Sequence, residues 1–476
     1  MMEKLINTLV DYIWSDALVY LALAVGIYFT IATRGVQFRY IGEMVRLLFD
    51  KPQSQQGVSS FSAFCMALSG RVGVGNIAGV ATAIASGGPG AVFWMIVMGL
   101  LGGASAFVES TLAQIYKEET DGQYRGGSPY YIEKGLKLKT FAMIVAAVTG
   151  LSYGVLVPGV QVNTIAASFE GAFGFTPMIT TAFVVVPLAF IILGGIKRIA
   201  RVADKIVPFM AVAYLLMMVI VLAVNLTVLP EMFALIIRSA FGMDAIFGGM
   251  VGTAVSWGVR RAVFSNVAGA GEATFSSAAA SVSHPAKQGL VQAFSVYVDT
   301  VLVCTATALM ILSTGSYNVR GTDGTMLVEN LAGVAAGTAF TQNAVSSVFS
   351  GFGPAFVAIA VFLFAFTCLL AYYYIAETTL VYLDKKQRYP QLTTALKLVF
   401  LVVCAFGGLQ SAGMMWALGD IGFGSMCYLN FIAIVLLSKP AFKALKDYDE
   451  QKKRGIDPVF DAQVAGVENA PFWQKK

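Results

Sequence analysis

The stretch that most constrains this chain is Ser69-Gly70-Arg71-Val72-Gly73-Val74-Gly75-Asn76-Ile77-Ala78-Gly79, near the middle of an apolar span at 61–86. Four glycines and an arginine do not suit a straight membrane helix. Each interior glycine lowers helix stability by about 1 kcal/mol relative to alanine. An unwound turn in hydrocarbon also leaves N–H and C=O groups that no water reaches. Two readings follow. Either the glycines form a small-residue face where two helices approach, or the helix breaks and lines a cavity. In a cavity, the freed amides and the positive end of the second half-helix can hold an anion.

A second stretch favours the break. Ser265-Asn266-Val267-Ala268-Gly269-Ala270-Gly271-Glu272 also interrupts an apolar span. An offset of 196 carries Gly73 and Gly75 onto Gly269 and Gly271, Asn76 onto Glu272, and Pro89 onto Pro285. Glycine is common, at 48 of 476 residues, so the identities alone are weak. Their placement is stronger, because each break lies inside a span that ends near a matching proline. Paired interrupted spans in two halves of a membrane protein point to a transporter binding site.

Composition agrees: only 12% of residues are charged, against about 25% in soluble proteins. The cysteines Cys65, Cys304, Cys368, Cys404 and Cys427 all lie in apolar spans without metal-like spacing, and no disulfide framework is suggested. A single histidine, His284, rules out a histidine metal cluster. The N-terminus lacks the basic flank and cleavage site of a signal peptide, so the first apolar segment is expected to be retained.

The apolar pattern predicts an all-α polytopic membrane protein of about eleven transmembrane helices, at 17–33, 61–86, 90–116, 140–169, 177–195, 206–224, 246–280, 289–312, 354–383, 392–406 and 416–437. The seventh is too long for one straight helix, so its first part is expected along the surface. Lys and Arg set the orientation. Twenty-five fall in loops and tail on one side and five on the other, which puts the N-terminus outside and the tail in the cytoplasm. Cations concentrated on one side of a membrane do not signal nucleic acid. With the first span set aside, ten remain as five plus five of opposite topology. The domains are then residues 1–60 (a peripheral helix and loop), 61–228 and 229–438 (two inverted repeats), and 439–476 (a charged tail, surface-bound or mobile). Residues 313–353 form a long extracellular loop.

The residues also carry a resemblance. Val74-Gly75-Asn76-Ile77-Ala78-Gly79-Val80-Ala81-Thr82-Ala83-Ile84, Gly87-Gly88-Pro89-Gly90-Ala91-Val92-Phe93-Trp94-Met95, Phe264-Ser265-Asn266, His284-Pro285-Ala286-Lys287-Gln288-Gly289-Leu290 and Phe364-Ala365-Phe366-Thr367 are similar to segments of the alanine/glycine:cation symporters, also called the sodium:alanine symporter family. The resemblance implies a leucine-transporter-like 5+5 inverted repeat with two broken helices, plus one extra N-terminal helix. It also implies Na⁺-coupled uptake of alanine, glycine or a similar small amino acid in a bacterial-type inner membrane. The chain departs from the family pattern at Ile96, Val267, Glu272, Cys368, Ala371 and Tyr372. These departures bear on substrate and coupling ion more than on fold.

Candidate site residues follow. The amides of Gly73, Gly75 and Asn76 can take a substrate carboxylate, and carbonyls around Ser265 and Asn266 can accept from its ammonium, with Gly269 and Gly271 shaping the second break. Gln161 either bonds the amino acid or bridges helices, and Tyr372 walls the side-chain pocket or packs in the core. The resemblance places Na⁺ between the break at Gly70 and the residues Thr367 and Cys368. Sulfur is a poor ligand for so hard a cation, and the Thr367 hydroxyl has its own helix as an alternative partner. The intramembrane carboxylates Asp299, Glu109 and Glu272 are functional candidates by default. A structural role in tying down frayed backbone suits Asp299 and Glu109, whereas Glu272 either couples to substrate or cation or is a solvated charge. Arg260 and Arg261 are expected to line the outer vestibule. The coupling ion is Na⁺, with H⁺ as the alternative, and no organic cofactor is implied. A membrane enzyme is the reading from another class, disfavoured by the absence of clustered acid/base residues.

Overall fold

The computed structural model describes residues 2–120, 122–385, 389 and 391–474. Lys386, Arg388, Lys475 and Lys476, which enter the charge asymmetry, lie outside the described residues, as do the side chains of Lys4 and Lys197. The main helices are α1 (Asp16–Ala32), α2 (Ser60–Arg71), α3 (Ala78–Gly87), α4 (Gly90–Ile115), α5 (Lys139–Leu151), α6 (Pro158–Phe173), α7 (Pro177–Ile192), α8 (Ile196–Val224), α9 (Val251–Asn266), α10 (Ala273–Ala279), α11 (Pro285–Val296), α12 (Thr305–Ser313), α13 (Gly353–Leu383), α14 (Gln391–Gly407), α15 (Ala412–Leu436) and α16 (Ser438–Lys453). Two π turns, Ser152–Leu156 and Tyr297–Cys304, join α5 to α6 and α11 to α12.

Both glycine stretches are breaks rather than packing faces. The first expected span divides into α2 and α3 around a single 3₁₀ turn, Val74–Asn76, and the second into α9 and α10. At the second break Gly269 and Gly271 take φ of +85° and +92°, a region that a Cβ disfavours. Among the described residues, seven helical stretches are long and apolar enough to cross a membrane: Ile6–Ala32, Gly90–Ile115, Lys139–Phe173, Arg198–Val224, Pro285–Ser313, Gly353–Leu383 and Ala412–Leu436. α3, α7 and α14 are shorter apolar helices. Large apolar side chains such as Phe183, Phe190, Phe209 and Leu216 are exposed on α7 and α8, as suits helices whose solvent is hydrocarbon.

Helices from the two halves of the chain pack on each other: α2 on α10, α3 on α9, α4 on α11, α6 on α13 and α7 on α14. Both broken helices therefore sit at the centre of the bundle. α9 begins at Val251, and the amphipathic helix is Leu229–Ala240 instead of the first part of the seventh span.

The tail, expected to be surface-bound or mobile, is docked on the protein. Phe460, Val467 and Trp473 are buried. Along α16, Tyr448 donates to Glu43 at 2.8 Å and Tyr40 to Asp449 at 2.5 Å. His284 Nδ1 accepts from the Ala286 N–H at 3.1 Å, so Nε2 carries the proton and faces Asp447 Oδ2 at 3.2 Å. Burial pulls the His284 pKa below its ordinary value, with Asp447 acting in the opposite sense. A histidine with a depressed folded pKa contributes stability above its unfolded pKa, about 6.5, and loses it as pH falls below that value. The melting temperature is therefore expected to drop between about pH 6.5 and 5, and the drop should be smaller in His284→Asn, which can still cap Ala286. Parallel melting curves against pH for the two proteins would refute this.

Candidate functional site

The two breaks meet at Asp299, which the second π turn directs at both of them. π turns of this kind are often found at functional sites. Its carboxylate accepts from Asn76 Nδ2 at 2.7 Å, from Ser265 Oγ at 3.0 and 3.2 Å, and from Thr300 Oγ1 at 2.7 Å. Asn76 in turn receives the Gly73 N–H on Oδ1 at 2.8 Å, and its carbonyl accepts from Thr307 at 2.7 Å. Asn266 closes the second break, accepting from Ala268 N at 2.9 Å and donating to Thr300 at 3.1 Å. Asp299 thus has a structural role at the site itself.

This wiring reduces the expected anion cradle. The Gly73 amide is taken by Asn76, the Asn76 amide donates to Gly73 O at 3.2 Å, and the Val74 amide reaches Gln161 Oε1 at 3.3 Å. Among the described residues, the Gly75 N–H has no partner, and the Ser265 and Asn266 carbonyls accept no hydrogen bond. A Cβ on Gly75 would lie 3.3 Å from both the Phe264 ring and Ser265 Cα. So an unpartnered donor at the start of one half-helix lies beside the end of α9, whose Ser265 and Asn266 carbonyls are also unpartnered among the described residues. Gln161 stands beside the first break at Gly73 and Val74, and its Nε2 donates to the Tyr372 hydroxyl at 3.1 Å.

Gly269 and Gly271 are not brought to this contact. Their positive φ turns them towards Phe431, Asn430 and Ser128. There Gly269 O accepts from Asn430 at 2.8 Å, and Glu109 Oε2 takes the Gly271 N–H at 3.0 Å and Asn430 Nδ2 at 3.1 Å. Glu109 therefore ties down frayed backbone.

Glu272 is not a solvated charge. It is buried, Oε2 accepts from Tyr153 at 2.6 Å, and Oε1 points at Gly70 without a hydrogen-bond partner among the described residues. A small cleft lined by Met66, Ala67, Ser276 and Tyr374 adjoins it. Arg71 is the group that sequence reasoning left without a role. Its guanidinium is wholly buried, with Nη2 4.0 Å from Glu109 Oε1 and Nη1 3.5 Å from Gln292 O. Three buried carboxylates thus surround one buried guanidinium. An arginine at mid-span was the available signal; nothing in the sequence pointed to Tyr153.

The sodium arrangement expected at Thr367 is not formed. Thr367 donates to Leu363 O at 3.1 Å and Phe364 O at 2.9 Å on its own helix and faces Met210. Consecutive helical residues point about 100° apart, so Cys368 is the one that faces the break, 3.3 Å from Gly70 O and 3.5 Å from Val72 O. Arg261 is also corrected. It is buried under Trp257, Phe264 and Trp416 and paired with Asp420 through 3.3 and 3.4 Å contacts. It joins α9 to α15 instead of lining an open vestibule.

Comparison with known proteins agrees with this architecture. The profile of the sodium:alanine symporter family matches residues 1–462. A Bacillus subtilis protein named as a sodium/proton-dependent alanine carrier is 54% identical over 475 residues, covering 100% of this chain and 98% of its own. The sodium/proton-dependent alanine carrier protein of Bacillus sp. (strain PS3) is 52% identical over 432 residues, covering 90% and 97%. In fold, the chain is similar to a manganese transporter of Eremococcus coleocola, with a TM-score of 0.55 at 13% identity and 89% of each chain covered. The broken-helix core and the match along nearly the whole sequence lead to one conclusion: this chain belongs to the sodium:alanine symporter family, with a leucine-transporter-like fold.

Proposed function

We propose that this protein is a secondary active symporter that takes up alanine, glycine or a similar small neutral amino acid with Na⁺. The observation that carries the reading is the pairing of the free Gly75 N–H with the free carbonyls of Ser265 and Asn266. A zwitterion needs an anion donor and a cation acceptor a few ångströms apart, and opposed half-helix ends supply both. The close approach of Phe264 and Ser265 to Gly75 favours a small side chain. Close relatives named as alanine carriers support the substrate class. On this reading the inverted repeats are 61–228 and 229–438. The protein sits in a bacterial-type inner membrane with its N-terminus outside and its tail in the cytoplasm.

Three buried carboxylates against one guanidinium leave an excess of negative charge in a low-dielectric core. Unpaired buried charge is strongly unfavourable, so loading a coupling cation there restores balance. Glu272, whose Oε1 has no hydrogen-bond partner among the described residues, is the candidate contact. The same atom supports a second reading, in which H⁺ takes the place of Na⁺, and both relatives are named sodium/proton-dependent.

The test is uptake of radiolabelled alanine and glycine by proteoliposomes under imposed Na⁺ or H⁺ gradients. Uptake driven by a Na⁺ gradient is expected. Glu272→Gln should reduce the stimulation by the driving gradient at least about tenfold, the scale of one charge–charge contact in a buried site. No uptake of either amino acid under any gradient would sink both readings. Parent-like gradient dependence in Glu272→Gln would remove Glu272 from coupling.

A further inference from the structure

The half-helix α10 is held at its cytoplasmic end by residues that have no part in the substrate site. Its last carbonyls, Ser277 O and Ala280 O, both receive Gln114 Nε2, the second at 3.0 Å. Ala280 O also receives Lys117 Nζ at 2.9 Å. A cation at a helix C-terminus is favoured by the peptide dipoles. Lys117 is 1% exposed and has no carboxylate within ion-pair distance among the described residues. In place of one, three rings surround its ammonium: Tyr124 at 4.4 Å, Phe472 at 4.5 Å and Trp473 at 5.1 Å. Burial lowers the Lys117 pKa, while the ring faces and the helix end act to keep the charge.

Two of those three rings belong to the tail. Trp473 donates its indole N–H to Gln114 O at 2.7 Å, so the tail also grips the end of α4. Further back, Phe460 N donates to Ser283 O at 2.9 Å, Ser283 Oγ to Pro458 O at 2.8 Å, and Lys287 Nζ to Asp457 at 2.8 and 3.0 Å. The tail therefore straps the loop between α10 and α11. Under the strap, the strand-like bridge of Val58 to Ala280 joins the lead-in to α2 with the end of α10, through Val58 N to Ala279 O and Ser281 N to Val58 O, each 2.9 Å. The inner ends of both broken helices are fastened at one point, and the tail covers it.

We propose that residues 457–473 are a latch on the inner gate, and that Lys117 is the positioning residue through which the latch holds α10. This deepens the symporter reading and rests on it for its meaning. Inward opening must separate the ends of α2 and α10, which breaks the Val58–Ala280 bridge and exposes the Lys117 cage. Docking of the tail and closure of the inner gate are then one equilibrium.

The test needs no substrate, so it stands apart from the transport assay. Ser276→Cys on α10 lines the small inner cleft and serves as the reporter, labelled by a thiol reagent in vesicles of either orientation against the buried native cysteines. On that background, Trp473→Ala and Lys117→Met are each expected to raise the labelling rate about 5- to 30-fold, the range a desolvated cation–ring contact supplies. The rise should come from the cytoplasmic side alone, with Lys117→Arg close to the parent. If Trp473→Ala folds poorly, Ser283→Ala removes one strap contact and should shift the rate in the same direction by a smaller factor. Parent-like labelling in the folded variants, or an equal rise from both sides, would overturn the latch.

Discussion

Gly75→Val is expected to abolish alanine binding while leaving a folded protein. A Cβ at this position already stands 3.3 Å from Ser265 Cα and from the Phe264 ring, and valine adds two methyl groups to that gap. They would crowd the Gly75 amide, which has no protein partner among the described residues. The loss should exceed about 100-fold in affinity, or ~2.7 kcal/mol, because the carboxylate loses its donor and its room together. Gly75→Ala should fall between parent and valine. Equilibrium binding of labelled alanine to purified protein, with melting and size-exclusion controls, decides the matter. Normal binding by a well-folded Gly75→Val would mean that the cradle lies elsewhere.

Asp299→Asn should cause the second large loss. The parent carboxylate accepts from Asn76, Ser265 and Thr300, which hold the first break, the end of α9 and the π turn. The amide replaces one acceptor oxygen with a donor that then confronts a donor. A buried donor left without a partner costs about 1–3 kcal/mol, so uptake should fall by roughly 10- to 100-fold with a lower melting temperature. An asparagine variant with parent-like initial uptake and melting would show that the breaks keep their register without Asp299.

Where the chain breaks could be read from the residues. Glycine weakens a helix locally whatever surrounds it, and hydrocarbon cannot satisfy freed amides, so two glycine runs inside apolar spans had few outcomes open to them. Their repetition at a fixed offset announced the paired halves, and the packing of α4 on α11 and of α6 on α13 follows that pairing. The motifs around Asn76 and Ser265 were legible for the same reason, as each sits within a few residues of its break.

What each side chain faces was decided by tertiary structure. One residue of rotation separates Thr367, turned to Met210, from Cys368, turned to the break. The left-handed glycines aim Gly269 and Gly271 at α15 and away from the proposed substrate site. Glu272 was placed correctly beside a break, but its burial depends on Tyr153 and Gly70, which are remote in sequence. The tail shows the limit most clearly. Its charged composition left it surface-bound or mobile, and only the structure shows Phe460 and Trp473 buried against Ser283 and Gln114. Local composition determined helices and breaks because those are energies of neighbouring residues. Partners separated by hundreds of residues depend on how the helices rotate and dock, which no local pattern encodes.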